Sequence, residues 1–371
     1  MGNSSLIDTF LELIAIDSES LSERNVVDCV ASRLKPYVDS IFEDDAGSKI
    51  GGNAGNLIAT IKGTLKDAPT IMLNAHTDTV KPGIGVKYTI DGDIIKSAGQ
   101  TILGGDDKAG VAVILEMVRR LKEEKVPHGD ILIVLSVAEE LGIKGAAVID
   151  PKHLKADFGY VLDCTGKAGG IFVASPTHDK IDAVITGRAA HAGIEPEKGV
   201  SAILTASKAI AAMKLGRIDE ETTANVGVIR GGRATNIIPD SVHIEAEARS
   251  HNMEKLEKQI AAMKKALEDA ASEAGAGIDI KIDREYVNYR ISEDAPVVRT
   301  AIAAAKALDI TPELKTSGGG SDANIFNVLG LPSVPLGTAM SKCHTKEEEI
   351  SISELEEVFR FVYQIVKNPN I

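Results

Sequence analysis

Five short segments of the chain carry side chains that can bind metal ions or transfer protons. All the candidates are imidazoles or carboxylates, which are common ligands at the metal sites of hydrolytic enzymes. They are His76 and Asp78, Asp106 and Asp107, Glu139 and Glu140, Asp163, and His344. Imidazoles and carboxylates without thiolates suit zinc or a similar divalent ion. A shared carboxylate would allow a pair of metals, and Asp106 is the natural bridge.

Two of these segments also contain residues that could support a metal ligand. His76 and Asp78 are two residues apart, so on extended chain both side chains lie on the same side. The Asp78 carboxylate can then accept a hydrogen bond from the imidazole nitrogen that does not bind metal. Adjacent Glu139 and Glu140 point in different directions, so one can bind a metal while the other takes a proton from water. Hydrolysis requires this combination of ligand and base.

Apolar runs next to the candidate residues predict the elements that position them. The predicted strands span 70–75, 130–137, 158–162 and 333–336, and a helix is predicted from Ala109 to Glu124. The strand–helix–strand order favours an α/β fold with a mostly parallel sheet flanked by helices. Because parallel strands end at one edge of a sheet, we expect the candidate residues to converge there.

The chain between the predicted strands 158–162 and 333–336 shows a different pattern, which predicts a second domain. From residue 181 the order is strand, helix, strand, strand, helix, strand, which is typical of a ferredoxin-like α+β unit. Its last helix is predicted over Met253–Ala274. We therefore expect one domain over 1–177 and 291–371, and an inserted domain over 178–290.

Composition excludes several classes of protein. The chain has 371 residues with 41 Lys+Arg and 54 Asp+Glu, a formal net charge of −13, and no dense basic run. Nucleic-acid binding is therefore not expected. No apolar run approaches the roughly 20 residues that cross a membrane, and no basic residues precede the first apolar ones, so a cytoplasmic protein is expected. The three cysteines are widely spaced and predict neither a disulfide framework nor a thiolate zinc site.

Each motif alone also has a structural explanation. A His-x-Asp tripeptide is often a surface feature, a Glu-Glu pair commonly lies on a solvated helix face, and Asp-Asp before a helix often caps it. His344, ahead of three glutamates, could be an ordinary loop histidine. The occurrence of these motifs together at the ends of predicted strands favours a two-metal site instead.

The same residues, in this order along the chain, resemble a known family. The set formed by His76-Thr77-Asp78, Asp106-Asp107, Glu139-Glu140, Asp163 and His344 resembles the co-catalytic zinc exopeptidases, which include peptidase T, aminoacylase and the glutamate carboxypeptidases. The segment Leu103–Gly110, with sequence LGGDDKAG, is similar to the peptidase T (tripeptide aminopeptidase) branch. The inserted ferredoxin-like unit resembles the family's lid and dimerisation domain, so the resemblance covers nearly the whole chain.

The resemblance implies a cofactor of two divalent metal ions, with zinc expected. His76 and Asp163 would hold one ion, Glu140 and His344 the other, and Asp106 both. These assignments come from the family pattern, carried over residue by residue.

The resemblance also implies roles for the residues beside these ligands. Glu139 would be the general base that activates the attacking water and later gives its proton to the leaving amine. Asp78 would orient the metal-binding imidazole, and the peptide bond between Asp106 and Asp107 would be cis.

The inserted domain is implied to contribute to catalysis and substrate binding. His191 resembles the histidine that crosses the dimer interface to stabilise the oxyanion. Asn236 and Arg249 resemble residues that hold the main chain and carboxylate of the substrate. Gly319 and Gly320 match a loop of the larger domain that brings backbone close to the substrate.

The predicted function is that of a homodimeric di-zinc aminopeptidase acting on short peptides. Gly318 stands where tripeptidases of the family have an arginine, so peptide length remains open. A same-fold amidohydrolase that removes an acyl group, or a carboxypeptidase, is an alternative. A metal- or peptide-binding protein without catalysis is an alternative of another class. A dinucleotide-binding enzyme is not favoured, because no Gly-rich turn follows the first predicted strand.

Overall fold

The computed structural model of the protein describes residues 5–369. They form two compact units, and the second consists of Ser175–Asn288 together with Gly318–Gly320. The expected domain boundaries at 178 and 290 lie within three residues of that range. The segment 318–320, expected in the larger domain, instead groups with the second unit, where the Ser175 hydroxyl donates a 2.8 Å hydrogen bond to the Gly319 carbonyl. Residues 1–4 and 370–371 of the predicted larger domain lie outside the described residues.

The elements of both units follow one another along residues 5–369. The strands are β1 (Ser40–Glu43), β2 (Leu57–Ile61), β3 (Ile71–His76), β4 (Tyr88–Asp91), β5 (Ile94–Ser97), β6 (Ile131–Ser136), β7 (Phe158–Cys164), β8 (Gly170–Ser175), β9 (Thr177–Thr186), β10 (Gly216–Arg217), β11 (Thr222–Gly231), β12 (Ser241–Ser250), β13 (Gly277–Tyr286), β14 (Tyr289–Arg290), β15 (Glu313–Thr316), β16 (Ser333–Gly337), β17 (Met340–Ser341) and β18 (Glu349–Ser351). The helices are α1 (Ser5–Ile14), α2 (Arg24–Leu34), α3 (Ala46–Ile50), α4 (Gly105–Glu124), α5 (Lys144–Ala147), α6 (Ala202–Ala212), α7 (Met253–Ala274), α8 (Pro296–Lys306), α9 (Asp322–Val328) and α10 (Ile352–Lys367). None of the helices within this range combines the length and the apolar character needed to cross a bilayer.

The main sheet of the first unit has the strand order β1-β2-β6-β3-β7-β16-β8-β14, with β15 beside β8. Its centre is parallel, because β3 runs in the same direction as β6 and β7, and β16 as β7. Every residue of β3 and β6 is buried, as expected for strands covered on both faces. The predicted fold class, a mostly parallel α/β sheet with an inserted α+β unit, is confirmed. The β1–β2 edge is antiparallel, which the sequence did not indicate.

Helix α4 covers the middle of this sheet and follows the predicted apolar stripe. Val111, Ile114, Val118 and Leu121 are buried, and the helix packs against β3, α1 and α10. Its first residues are irregular, with non-helical backbone at Asp106 and Asp107. The chain therefore presents the Asp106 side chain from a bend rather than from the regular helix.

A small antiparallel sheet in the first unit, ordered β17-β18-β5-β4, was not predicted. The connection between β17 and β18 carries His344, whose φ of 62° is left-handed. A non-glycine residue in this conformation is uncommon and marks a tight turn. The hairpin thus gives His344 a defined place, where the sequence indicated only a loop.

The second unit contains the antiparallel sheet β10-β11-β12-β9-β13. Buried and less buried residues alternate along β9, because α6 and α7 cover only one face of the sheet. Helix α7 spans the predicted Met253–Ala274, and the Asn252 side chain caps it by accepting the backbone N–H of Lys255. The predicted β-α-β-β-α-β order is present, with the two-residue β10 added.

Candidate metal centre and catalytic site

Two candidate ligands lie at the carboxyl ends of neighbouring parallel strands. His76 is the last residue of β3, and Asp163 is the last but one of β7. The His76 Nε2 atom is 3.7 Å from an Asp163 carboxylate oxygen. Parallel pairing of β3 and β7 therefore brings together two side chains that are far apart in sequence.

Asp106 lies between two imidazoles. Its Oδ1 atom is 3.1 Å from His76 Nε2, and its Oδ2 atom is 3.2 Å from His344 Nε2. His344 Nε2 is also 3.0 Å from Glu140 Oε1. The peptide bond between Asp106 and Asp107 is cis, which confirms that prediction. One carboxylate thus faces two separate groups of potential ligands.

The donor set fits a divalent metal ion. Ligand atoms of His76, Asp106 and Glu140 all lie within 4.8 Å of one another, as do those of His76, Asp107 and Asp163. Nitrogen and carboxylate oxygen donors at such a spacing suit zinc, manganese or cobalt.

Asp107 differs from the other acidic residues of this cluster. Its Oδ2 accepts the backbone N–H of His76 at 3.2 Å, and its Oδ1 accepts that of Gly110 at 3.1 Å. With both oxygens already hydrogen-bonded, Asp107 holds the strand end against the start of α4.

The electrostatics of the cluster favour a cation. Burial raises the pKa of Asp163 well above its ordinary value, as does the charge of Asp106. Burial opposes the charged form of His76, but hydrogen bonds to Asp106 and Asp78 raise its pKa well above the ordinary value. Hydrogen bonds to Asp106 and Glu140 raise the pKa of His344 to about 10. Buried carboxylates hold protons on their neighbours in this way when negative charge is in excess, and a divalent ion would compensate it.

Glu139 and Glu140 form a single turn of 3-10 helix, Glu139–Leu141, after β6. Burial raises the pKa of Glu139 well above its ordinary value; His76 opposes this shift, while the charges of Glu140 and Asp322 add to it. The prediction that adjacent glutamates serve different purposes is compatible with this geometry, because only Glu140 contacts His344.

Asp78 makes contacts beyond the predicted one. His76 Nδ1 is 2.9 Å from the Asp78 backbone oxygen and 3.4 Å from its carboxylate. The carboxylate accepts the backbone N–H groups of Glu139 and Glu140 at 2.9 and 3.2 Å, and the Ser20 hydroxyl at 2.6 Å. Asp78 therefore contacts both the imidazole and the turn that carries the two glutamates.

Three further buried carboxylates near the site were not identified from the sequence. Glu23 accepts the backbone N–H of Ala138 at 3.0 Å. Asp322 accepts a hydrogen bond of 3.0 Å from the Asn74 amide and one from the Ser136 hydroxyl. The third is Glu348. Only Asp322 had a signal, since it ends the Gly-rich segment 318–322, whereas Glu348 belongs to a run of three glutamates that resembles a solvated loop.

The remaining predicted site residues lie in the second unit and form two groups there. His191 and Asn236 are close along the backbone, because the N–H of Ala192 donates a 3.0 Å hydrogen bond to the Asn236 carbonyl. The His191 Nδ1 atom accepts the N–H of Gly193 at 3.2 Å. This leaves the other ring nitrogen of His191 available to a ligand or substrate.

Arg249 forms the second group with the glycine loop, which consists of Gly318–Gly320. Its Nε and Nη2 atoms donate to the Glu247 carboxylate at 3.2 and 3.1 Å. A Cβ on Gly319 would lie 3.5 Å from Arg249 Nη1, and a Cβ on Gly320 would lie 2.3 Å from the Tyr286 ring. At Gly320 the loop therefore approaches the Tyr286 ring more closely than a residue with a Cβ would allow, whereas at Gly319 a Cβ would make an ordinary contact with Arg249.

Comparison with known proteins assigns this chain to a class of metal-dependent peptidases. The chain belongs to peptidase family M20/M25/M40, which it matches over residues 72–368. Members of this family are metal-dependent, in agreement with the possible metal-binding cluster around His76. The predicted family resemblance is thereby confirmed, and the protein is a hydrolase.

Several relatives are similar over essentially the whole chain. The protein YqjE of Bacillus subtilis is 46% identical, over 98% of this chain and 97% of its own. A solved structure of aminopeptidase PepT from Bacillus cereus is 44% identical, with a TM-score of 0.88 and full coverage of both chains. A tripeptidase structure from Staphylococcus aureus is 40% identical, with a TM-score of 0.93 and 100% and 99% coverage. Peptidase T of Clostridium botulinum is 27% identical, over 98% of each chain.

Proposed function

We propose that this protein is a dinuclear metal-dependent aminopeptidase that cleaves short peptides, tripeptides among them, from the amino end. The observation that carries the proposal is the position of Asp106, whose two oxygens face His76 and His344 at 3.1 and 3.2 Å. A carboxylate with a different imidazole at each oxygen is suited to bridge two ions. The names of the Bacillus cereus and Staphylococcus aureus relatives support the substrate class.

Five residues would hold the metals in this proposal. His76 and Asp163 would bind one ion, Glu140 and His344 the other, and Asp106 both, with zinc as the expected metal. The chemistry that divalent ions supply when bound at such a site is polarisation of the peptide carbonyl and a lower pKa for water.

Glu139 is the proposed general base. Its environment raises its pKa, which suits a carboxylate that must accept a proton near neutral pH. It would take a proton from the attacking water and later transfer it to the leaving amine. Asp78 supports this role because its carboxylate accepts the Glu139 backbone N–H. This hydrogen bond restricts where the Glu139 side chain can lie.

The second unit is proposed as the lid and dimerisation domain, and the first as the catalytic domain. In a homodimer, His191 would stabilise the oxyanion, and Asn236 would contact the substrate main chain. Arg249 would bind the substrate carboxylate, since Glu247 holds two of its nitrogens and leaves Nη1 on the side of Gly319. Gly319 and Gly320 would bring backbone close to the substrate.

A substrate panel tests the proposal. Unblocked di-, tri- and tetrapeptides and N-acylated amino acids are incubated with the protein in the presence of zinc, after chelation, and after metal is restored. We expect release of the amino-terminal residue from tripeptides, lost on chelation and recovered with metal. Turnover of only the blocked substrates would indicate the amidohydrolase alternative. Metal binding without any turnover would indicate a binding protein.

A further inference from the structure

Glu348 is a buried carboxylate that binds the loop leading to Asp106. Its side chain is only 1% exposed. Its Oε2 atom accepts the backbone N–H groups of Leu103 and Gly104 at 2.7 and 2.9 Å, and its Oε1 atom accepts that of Asp106 at 3.0 Å. Three donors converging on one carboxylate strongly constrain the backbone that supplies them.

The backbone of this loop is shaped around the carboxylate. Gly104 has a φ of +77°, a conformation that favours glycine. A Cβ on Gly105 would lie 3.0 Å from Glu348 Oε1. Both glycines thus allow the chain to pass close to Glu348 with its N–H groups directed at the oxygens.

Glu348 also belongs to the segment that presents the second imidazole. It follows His344 by four residues, in the connection between β17 and β18. Its hydrogen bonds therefore join the hairpin that carries His344 to the backbone of Asp106. The Nε2 atom of His344 and the Oδ2 atom of Asp106 are 3.2 Å apart. A single carboxylate links two segments that are 242 residues apart in sequence.

We propose that Glu348 is a positioning residue that sets the separation of Asp106 and His344, and with it the affinity of the site for metal. The inference rests on the proposed function, because it concerns the same metal centre. Loss of the hydrogen bonds would let the Asp106 loop and the His344 hairpin move independently. The side chains of Asp106 and His344 would then adopt the arrangement that binds a shared ion less often.

Glu348→Gln is the variant that tests this most directly. The amide has the same size but only one acceptor oxygen, and its NH₂ group must face at least one backbone N–H. Zinc affinity is measured by competition with a chromophoric chelator, and kcat and KM with a tripeptide. Loss of a residue that supports metal ligands typically costs about 10–100-fold in metal affinity or activity. We expect E348Q to lose at least about tenfold in zinc affinity and in kcat, with KM little changed.

Glu116→Gln is the matched control. Glu116 is also buried, at 2% exposure, and accepts hydrogen bonds from Ser5, Arg119 and Arg120 in the same unit, outside the metal cluster. We expect E116Q to lower the melting temperature while zinc affinity stays as in the wild type. An equal loss of zinc affinity in E116Q would overturn the inference, since the effect would then reflect general destabilisation.

Glu348→Asp keeps the charge but retracts the carboxylate by one carbon, and it provides the decisive readout if E348Q does not fold. We expect reduced zinc affinity in E348D as well. Wild-type zinc affinity and kcat in the folded Glu348 variants would overturn the inference and leave the proposed function standing. Failure of the wild type itself to bind zinc would overturn both.

Discussion

The Asp78 carboxylate accepts the backbone N–H of Glu139 at 2.9 Å, so the residue expected to orient a metal ligand also holds the proposed base. A second oxygen of the same carboxylate accepts the N–H of Glu140. The backbone oxygen of Asp78 is 2.9 Å from the His76 imidazole, so one buried residue contacts the imidazole through its backbone and holds the two glutamates through its side chain. Substitution of Asp78 should therefore affect catalysis.

Replacing Asp78 with Asn should lower kcat by about 10–100-fold. The amide has one acceptor oxygen, so one of the N–H groups of Glu139 and Glu140 would face an NH₂ group instead. Ser20→Ala is the control, because it removes only the hydroxyl that donates to Asp78. Steady-state kinetics with a tripeptide would compare the two variants. Equal activity in D78N and S20A would contradict the proposed role of Asp78.

Substitutions of Glu139 and Glu140 should distinguish the proposed general base from the proposed metal ligand. Glu139→Gln should lower kcat by about 10²–10⁴-fold while zinc affinity remains, because a general base acts in the chemical step. Glu140→Gln should weaken zinc binding, because its carboxylate contacts His344. Zinc titration and single-turnover kinetics provide both readouts. Full activity in E139Q would rule out the proposed base.

Metal should stabilise the fold as well as permit catalysis. A ligand that binds only the folded state at 100 times its Kd adds about 2.7 kcal/mol to the free energy of unfolding. Zinc should therefore raise the melting temperature of the chelator-treated protein. In Asp106→Asn this increase should be smaller, because the amide is a weaker ligand than the carboxylate. An identical increase in both proteins would place the stabilising metal elsewhere.

Glu23 should give the stability a measurable pH dependence. Burial and the charge of Asp78 raise its pKa from 4.5 to about 7 in the folded protein. The folded state thus binds the proton more tightly, so the stabilisation is complete below pH 4.5 and is lost as the pH rises through 7. In urea unfolding at pH 5 to 8, the stability of Glu23→Gln relative to the wild type should rise with pH. A constant difference would show that Glu23 does not titrate in this range.

The glycine loop of the second unit should tolerate a methyl group at one end only. At Gly320 a Cβ would lie 2.3 Å from the Tyr286 ring, whereas at Gly318 nothing lies within 4 Å. Gly320→Ala should therefore reduce the free energy of unfolding by about 1–3 kcal/mol, while Gly318→Ala should be nearly neutral. Denaturant titration of both variants checks this. Equal destabilisation would mean that contact with Tyr286 is not the cause.

Much of the fold was predictable because local patterns determine it. The buried strand at Ile71–His76 is a short, mostly apolar run, and α7 has a capping Asn and an amphipathic stripe, so both were located within a residue or two. The parallel order of the strands then placed His76 and Asp163 at one edge. His344 was harder to place, since it lies in the turn of the β17–β18 hairpin, which joins a sheet through pairing of β18 with β5, a strand distant in sequence.

The sequence by itself determined which residue types are available as ligands and base, because these types and their positions at strand ends are local properties. The sequence also indicated Asp78 as a support for His76, but only the tertiary structure decided which other carboxylates contact the site. Glu348, within a run of three glutamates, is buried because the Asp106 loop folds over it, while Glu347 beside it is exposed. Glu23 and Asp78 likewise acquire their partners from turns that are far away in sequence. Burial and hydrogen bonding between distant segments depend on packing, and no local pattern specifies them.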